Sequence, residues 1–366
     1  MTKLSQNLLI IGAGAHKPYR FPTSNDINKK LKDLLTAGKI IFVNETSSSH
    51  KSQAFLEKQR LCRKIMDMNL LPGAEKYGSN SKDIFIGQQL DEFIKSFAAS
   101  SATSIDSYLS RIHLSKNDYK RTVYPTLGKF LLSYLISNIE NQEPIGCQDA
   151  DWIQFLIKEY IEPSPDEFFK SPPKIVTFNY DRLLERYIYE HLIEFHHMPE
   201  EEAKTLVDSL DILHVYGDLG AYTEWSPQSD SFYTEACSRI KVIGEDRDEN
   251  SITDVRKKIK NIIEEATKIY FLGYGFDPIN NDLIFKSLKE DWRKGKYIFS
   301  TNIGIGQRDR TRIYNQIGFL PAFLKKKSIH GDVMCLDLLK NLVPLEKSIK
   351  PKRKMIVKSK PFVSEW

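Results

Sequence analysis

Cysteine is scarce in this chain. Four residues in 366, at positions 62, 147, 237 and 335, include no Cys-x-x-Cys pair. That spacing excludes a cysteine-rich zinc site of the finger or ribbon kind and argues against a disulfide framework, so reduced core thiols are expected. Long apolar runs are also missing. A membrane-spanning helix needs about 20 consecutive apolar residues, whereas the first apolar run covers only residues 8–11 and follows no basic leader. A cytoplasmic protein without a membrane segment is expected. Charge of one sign is in small excess: the formal net charge of +5 on so long a chain is no nucleic-acid signature by itself. What is abundant is core material, with 41 % hydrophobic and 11 % aromatic residues, which excludes a disordered chain.

The apolar residues fall into short continuous runs, as expected of parallel strands covered on both faces. These runs are "NLLIIG", "KIVTFN", "DILHVYG", "KIYFLGYG", "GKYIFST" and "DVMCLDLL", with "KIIFVNE" at 39–45 as a further short strand. Helical patterns at 181–195, 254–267, 281–293 and 309–316 lie between them. Between residues 53 and 139 apolar residues recur three and four apart with no strand signal. The pattern predicts an α/β fold, a Rossmann-like doubly wound parallel sheet with an inserted helical module. Residues 1–50 and 166–340 would form the core, 51–165 the module, and 341–366 a basic tail carrying "KSIKPKRKMIVKSK". That tail reads as a solvated segment or a contact for an acidic partner or nucleic acid.

In such sheets ligands bind beyond the carboxyl ends of the strands. Four of the strand ends carry glycine or short polar residues there: Gly12-Ala13-Gly14-Ala15, Asn179-Tyr180-Asp181, His214-Val215-Tyr216-Gly217 and Gly273-Tyr274-Gly275-Phe276-Asp277. Gly12 and Gly14 suit either a tight strand-to-helix turn or the close approach of a diphosphate. The third glycine of a dehydrogenase fingerprint would fall on Lys17, and the acidic residue expected about 20 residues on is late, at Glu45. That disfavours a dehydrogenase. Asp181 opens a helical pattern, so it serves as a helix cap or as a ligand group.

Together "GAGAHKPYRFPTS", "IVTFNYDRLLE", "HVYGDLG" and "FLGYGFDPINND", in that order, resemble the sirtuin-like (Sir2-type) NAD hydrolases of bacterial antiphage defence. "SIDSYLSRI" and "GKFLLSYLI" resemble their helical region. The resemblance implies cleavage of the nicotinamide–ribose bond of NAD as substrate, with no metal, in a cytoplasmic NAD-depleting effector. It puts Asn179 at the water or ribose and His214 as a neutral base, although Tyr216 stands where deacylating sirtuins carry histidine. Two residues on one strand face the same way, so either side chain suits the pocket. Asp181 would bond a ribose hydroxyl. His16 would reach phosphate or ribose and Arg20 a phosphate or a partner's carboxylate, while Pro18, Tyr19, Phe21 and Pro22 would wall the nicotinamide, with Thr23 also in the NAD site. Gly217, Gly273, Tyr274, Gly275 and Asp277 would receive adenosine ribose and phosphates, with Thr301 and Asn302 near adenine. The resemblance also implies control by assembly, as a homo-oligomer or with a HerA-type ATPase, an Argonaute-like protein or a phage component. The competing readings are an NAD-dependent protein deacylase and a nucleotide-sensing scaffold without turnover.

Overall fold

The computed structural model describes residues 6–36, 53–102, 104–140, 151–223, 229–242, 249–301, 303, 305–306, 310–311, 313, 328–331, 334–342 and 345. The expected strand at 39–45, the basic run at 347–360 of the tail and Cys147 lie outside the described residues, as does Asn302. Among the described residues, six strands form one parallel sheet: β1 (Asn7–Ile11), β2 (Lys174–Thr177), β3 (Leu213–His214), β4 (Lys268–Leu272), β5 (Tyr297–Thr301) and β6 (Ser328–Gly331). Their order is β3-β2-β1-β4-β5-β6, a doubly wound arrangement whose direction of winding reverses between β1 and β4. Leu8, Leu9, Ile10 and Ile11 are all buried, because both faces of the central strand are covered.

Between β1 and β2 the chain is helical. A 3-10 segment (Ala13–Tyr19) leads into α1 (Ser24–Thr36), α2 (Gln53–Asp67), α3 (Ser79–Ala99), α4 (Ile105–Ile112), α5 (Asp118–Glu140), α6 (Trp152–Leu156) and α7 (Pro165–Phe169). Helix α1 starts on a reciprocal cap. The Thr23 N–H donates to Asp26 at 2.9 Å, and the Asp26 N–H donates back to the Thr23 hydroxyl at 3.4 Å. Within the module Phe93 meets Tyr108 and Tyr124 edge to face, at 5.7 and 5.1 Å. The crossovers of the second half are α8 (Leu183–Glu194) with α9 (Glu200–Asp208), then α10 (Asp230–Arg239) with α11 (Glu249–Glu265), and α12 (Pro278–Phe285). Helix α10 packs on α5, fastening the module to the core.

A second fastening is ionic. Glu140, the last residue of α5, accepts from the Arg182 backbone N–H at 3.0 Å and from its guanidinium at 2.6 Å; both side chains are buried. Arg182 follows Asp181 directly, so the helical module grips the loop after β2.

One expected strand is corrected. "DVMCLDLL" is not a strand: β6 precedes it, and helix α13 (Cys335–Asp337) runs on into a π-helical turn, Leu338–Leu342. Cys335, Leu338 and Leu339 are buried while Asp337 is exposed, which is the spacing of a helix face. A short apolar run does not by itself separate a buried strand from a buried helix.

Candidate functional site

A cavity of about 960 Å³ lies beyond the carboxyl ends of β1, β2, β4 and β5, at the reversal point of the sheet. It is bordered by the turn after β1, the loops after β2 and β4, and the start of α4. Its size is within the usual range of ligand sites, roughly 300–1,000 Å³.

The glycines at this point have a packing role. The Gly12 N–H donates to the Leu272 carbonyl at 2.9 Å and the Gly14 N–H to the Gly273 carbonyl at 3.0 Å. A Cβ on Gly273, whose φ is +56°, would lie 1.8 Å from the Ala15 nitrogen; one on Gly12 would lie 2.8 Å from the Gly273 carbonyl oxygen. Two strand ends meet backbone to backbone here, and only glycine permits it. Gly12, Ala13 and Gly14 line the cavity, but the N–H groups of Gly12 and Gly14 are already used within the protein. The tight-turn reading of these two glycines is the one the structure supports. Gly275 differs: an added Cβ would meet nothing within 4 Å, so this glycine leaves open space inside the cavity.

Asn179 and Asp181 stand on the cavity wall, 5 % and 6 % exposed. Beneath them sits His16, buried against Trp152, Tyr19 and Phe21 at ring separations of 6.0–6.2 Å. Its Nδ1 is 2.7 Å from Asp181 Oδ1 and 3.1 Å from Asn179 Nδ2. One ring nitrogen cannot donate to the carboxylate and accept from the amide together, and the shorter contact makes it the donor to Asp181. Turning the Asn179 amide over sets its oxygen against that N–H and relieves Oδ1, which is otherwise buried without a partner. Asp181 Oδ1 also accepts the Leu183 N–H at 3.2 Å, an interaction at the start of α8. Asp181 therefore combines a local cap-like contact with a place on the cavity wall.

His214 departs from its expected role. It is not on the cavity. Its Nδ1 donates to the Asn179 carbonyl at 3.1 Å, and its Nε2 pairs with Glu185 at 2.6 Å. Burial disfavours its charge, but the Glu185 carboxylate, with smaller help from Asp218 and the Asn179 carbonyl, outweighs burial and pushes its pKa to about 9. At neutral pH it is an imidazolium in an ion pair rather than a free base, and it braces the backbone of Asn179. The expectation of a shared face failed because β3 ends at His214; beyond it the chain turns and brings Tyr216 to the cavity instead. The raised folded-state pKa means that this contribution to stability is complete below about pH 6.5 and is lost as pH rises through 9. His214→Gln should thus cost on the order of 3 kcal/mol near pH 6 and much less near pH 10. Urea unfolding of both proteins across that range checks it; a pH-independent difference refutes the ion pair.

Other expected positions divide. Phe21, Pro22, Thr23, Tyr274, Asp277 and Thr301 line the cavity. Asp277 also caps α12 through the Ile279 N–H at 2.9 Å, and the Thr301 hydroxyl accepts the Gly273 N–H at 2.8 Å. Ala15, Arg20, Tyr19 and Gly217 are not on the cavity. Arg20 is exposed, in a left-handed conformation (φ 66°), and does not line the cavity. The Tyr19 hydroxyl donates to Asp151 at 2.5 Å. A Cβ on Gly217 (φ +77°) would lie 2.0 Å from the Arg239 carbonyl oxygen, so this glycine serves a close backbone contact.

Phe178, Tyr216 and Tyr274 form an aromatic wall, with Phe178 5.9 and 5.2 Å from the two tyrosines. Sequence reasoning missed several polar groups on the cavity, among them Lys17, Ser104, Asp106 and Asn280. Asp106 accepts from the Tyr180 hydroxyl and Asn280 from that of Tyr216. The only sequence signal for Asp106 is its place within "SIDSYLSRI"; nothing there points it at the β2 loop. Among the described residues no group of three His, Cys, Asp or Glu side chains is arranged to hold a metal ion, and no helix is long and apolar enough to cross a membrane.

The cavity, with Asn179 and Asp181 on its wall, lies at the switch point of a doubly wound sheet, where such folds bind their ligands. Residues 173–329 match the family model described as the SIR2-like domain, a stretch that covers somewhat less than half of the chain. The match runs from the start of β2 into β6; β1 and the helical module precede it. No curated relative and no solved structure matches the chain.

Proposed function

We propose that this protein hydrolyses NAD to nicotinamide and ADP-ribose. The observation that carries the reading is the rigid pair Asn179 and Asp181 on the wall of the cavity, facing an aromatic surface at the sheet's reversal point. Nicotinamide leaves as a neutral molecule, so the departing group needs no proton; the difficult feature is the positive charge developing on the ribose. A neutral amide at Asn179 orients water or ribose without trapping that cation. The carboxylates of Asp106, Asp181 and Asp277 supply a field of the sign the transition state needs, and the aromatic wall suits a flat heterocycle. His214 holds Asn179 in place through its carbonyl.

By the same reading the chain is an NAD-depleting effector in antiphage defence, assembled as a homo-oligomer or restrained by a partner such as a HerA-type ATPase or an Argonaute-like protein. A deacylase is the weaker alternative, because the dispersed cysteines offer no zinc ribbon to frame an acyl-peptide groove. The test is nicotinamide release from NAD by the full chain, alone and with a co-expressed partner. Asn179→Ala should lower the rate at least about 100-fold, in line with loss of a positioned transition-state contact, while melting stays near wild type. An equal rate in the variant would sink the assignment.

A further inference from the structure

The reaction proposed above leaves one proton without an acceptor, since the expected histidine is held in an ion pair away from the cavity. We propose that Asp106, contributed by the helical module, is the catalytic base that takes the proton of the attacking water. This inference rests on the NAD-hydrolase reading and deepens it. In the step, the bond between ribose C1′ and the nicotinamide nitrogen breaks and its electron pair neutralises the pyridinium. The water oxygen bonds to C1′, and its proton passes to the Asp106 carboxylate and then to solvent.

Three observations converge on this residue. Asp106 lines the same cavity as Asn179 although it comes from α4, outside the sheet. It is tethered to the reacting loop, because it accepts from the hydroxyl of Tyr180, the residue between Asn179 and Asp181. Its surroundings suit a base that must hold and release a proton. The groups facing it are Tyr180 from the loop after β2, Asp277 from the loop after β4 and Tyr216 from the segment after β3, with no cation among them. Burial raises its pKa above the ordinary carboxylate range, opposed by the Tyr180 hydroxyl and its own backbone N–H, and Asp277 adds a further rise. The Tyr180 and Tyr216 rings pack with centroids 6.0 Å apart, and the Tyr216 hydroxyl donates to Asn280 on the same cavity. Tyr180 is a positioning residue in this scheme.

The experiment is the pH profile of nicotinamide release, with kcat and KM separated, for the full-length wild type, Asp106→Asn and Tyr180→Phe. Asn keeps an oxygen for the Tyr180 hydroxyl and Phe keeps the ring, so both proteins should fold, which melting checks. Asp106→Asn should lower kcat at least about 100-fold, with little change in KM, and abolish the acid limb of the profile. Tyr180→Phe should keep the limb but move it to higher pH, because the carboxylate loses a donor that favours its charged form. A merely structural role would leave the limb where it is. If wild type releases nicotinamide and Asp106→Asn does so equally with the same limb, the assignment of Asp106 is overturned and the hydrolase reading stands. If wild type releases none, alone or with its partner, the hydrolase reading falls and this proposal with it.

Discussion

Gly273→Ala unfolds or severely destabilises the protein, whereas Gly275→Val, two residues on, leaves it folded and blocks its ligand. The same loop thus separates a folding glycine from a functional one. At Gly273 the added methyl meets backbone, 1.8 Å from the Ala15 nitrogen and 2.3 Å from the Gly14 carbonyl carbon, and the φ of +56° is unfavourable for alanine by itself. No rotamer change relieves a clash with backbone. The ends of β1 and β4 would have to part, losing the Gly14–Gly273 hydrogen bond and the brace from Thr301. A loss above about 4 kcal/mol is expected, a large share of the 5–15 kcal/mol typical of a folded domain. At Gly275 nothing lies within 4 Å of an added Cβ and the backbone is not left-handed, so valine fits and projects into the cavity. Its melting temperature should stay within a few degrees of wild type while NAD cleavage or binding falls more than about tenfold. Circular dichroism melts and a nicotinamide assay on both variants decide it. A stable Gly273→Ala, or a fully active Gly275→Val, contradicts the respective role.

Glu140→Ala should cost about 3–5 kcal/mol, the usual penalty for leaving one partner of a buried ion pair alone. The Arg182 guanidinium is buried. Its Nη2 donates to Glu140 at 2.6 Å, and a further donor goes to the Ala221 carbonyl, which cannot neutralise it. Burial pushes the Glu140 carboxyl up, and the Arg182 charge with its hydrogen bonds opposes this. The doubly apolar variant Glu140→Leu with Arg182→Met should recover much of the loss, since it removes both charges together. Urea unfolding of the single and double variants measures this. A Glu140→Ala protein as stable as wild type would show that the pair adds nothing. Because Arg182 adjoins Asp181, the single variant should also loosen the loop after β2 and, on the proposed hydrolase reading, lower nicotinamide release.

Much of the architecture was legible from pattern alone. Continuous apolar runs such as residues 8–11 are what a strand covered on both faces requires, and the helical spacing of 53–139 is visible without any partner. The strand-end rule then located Asn179, Asp181 and Tyr274 on the cavity. It failed for "DVMCLDLL", where a run of four or five apolar residues satisfies a buried helix as well as a strand. It also failed for His214. Alternation applies only while the chain remains extended, and β3 stops at that residue.

What the sequence by itself determined is therefore local: where most strands run, where turns need glycine, and which polar groups sit at strand ends. These follow from backbone sterics and hydrophobic period, whose range is a few residues. What only the tertiary structure decided is which of those groups meet. His16 and Asp181 are 165 residues apart in sequence and 2.7 Å apart in space, and Asp106 reaches the cavity because α4 packs over a loop that follows β2. Such pairings depend on sheet order and helix docking, which no local pattern encodes. They made His214 an ion-paired brace, Tyr216 a wall and Asp106 a carboxyl facing the site.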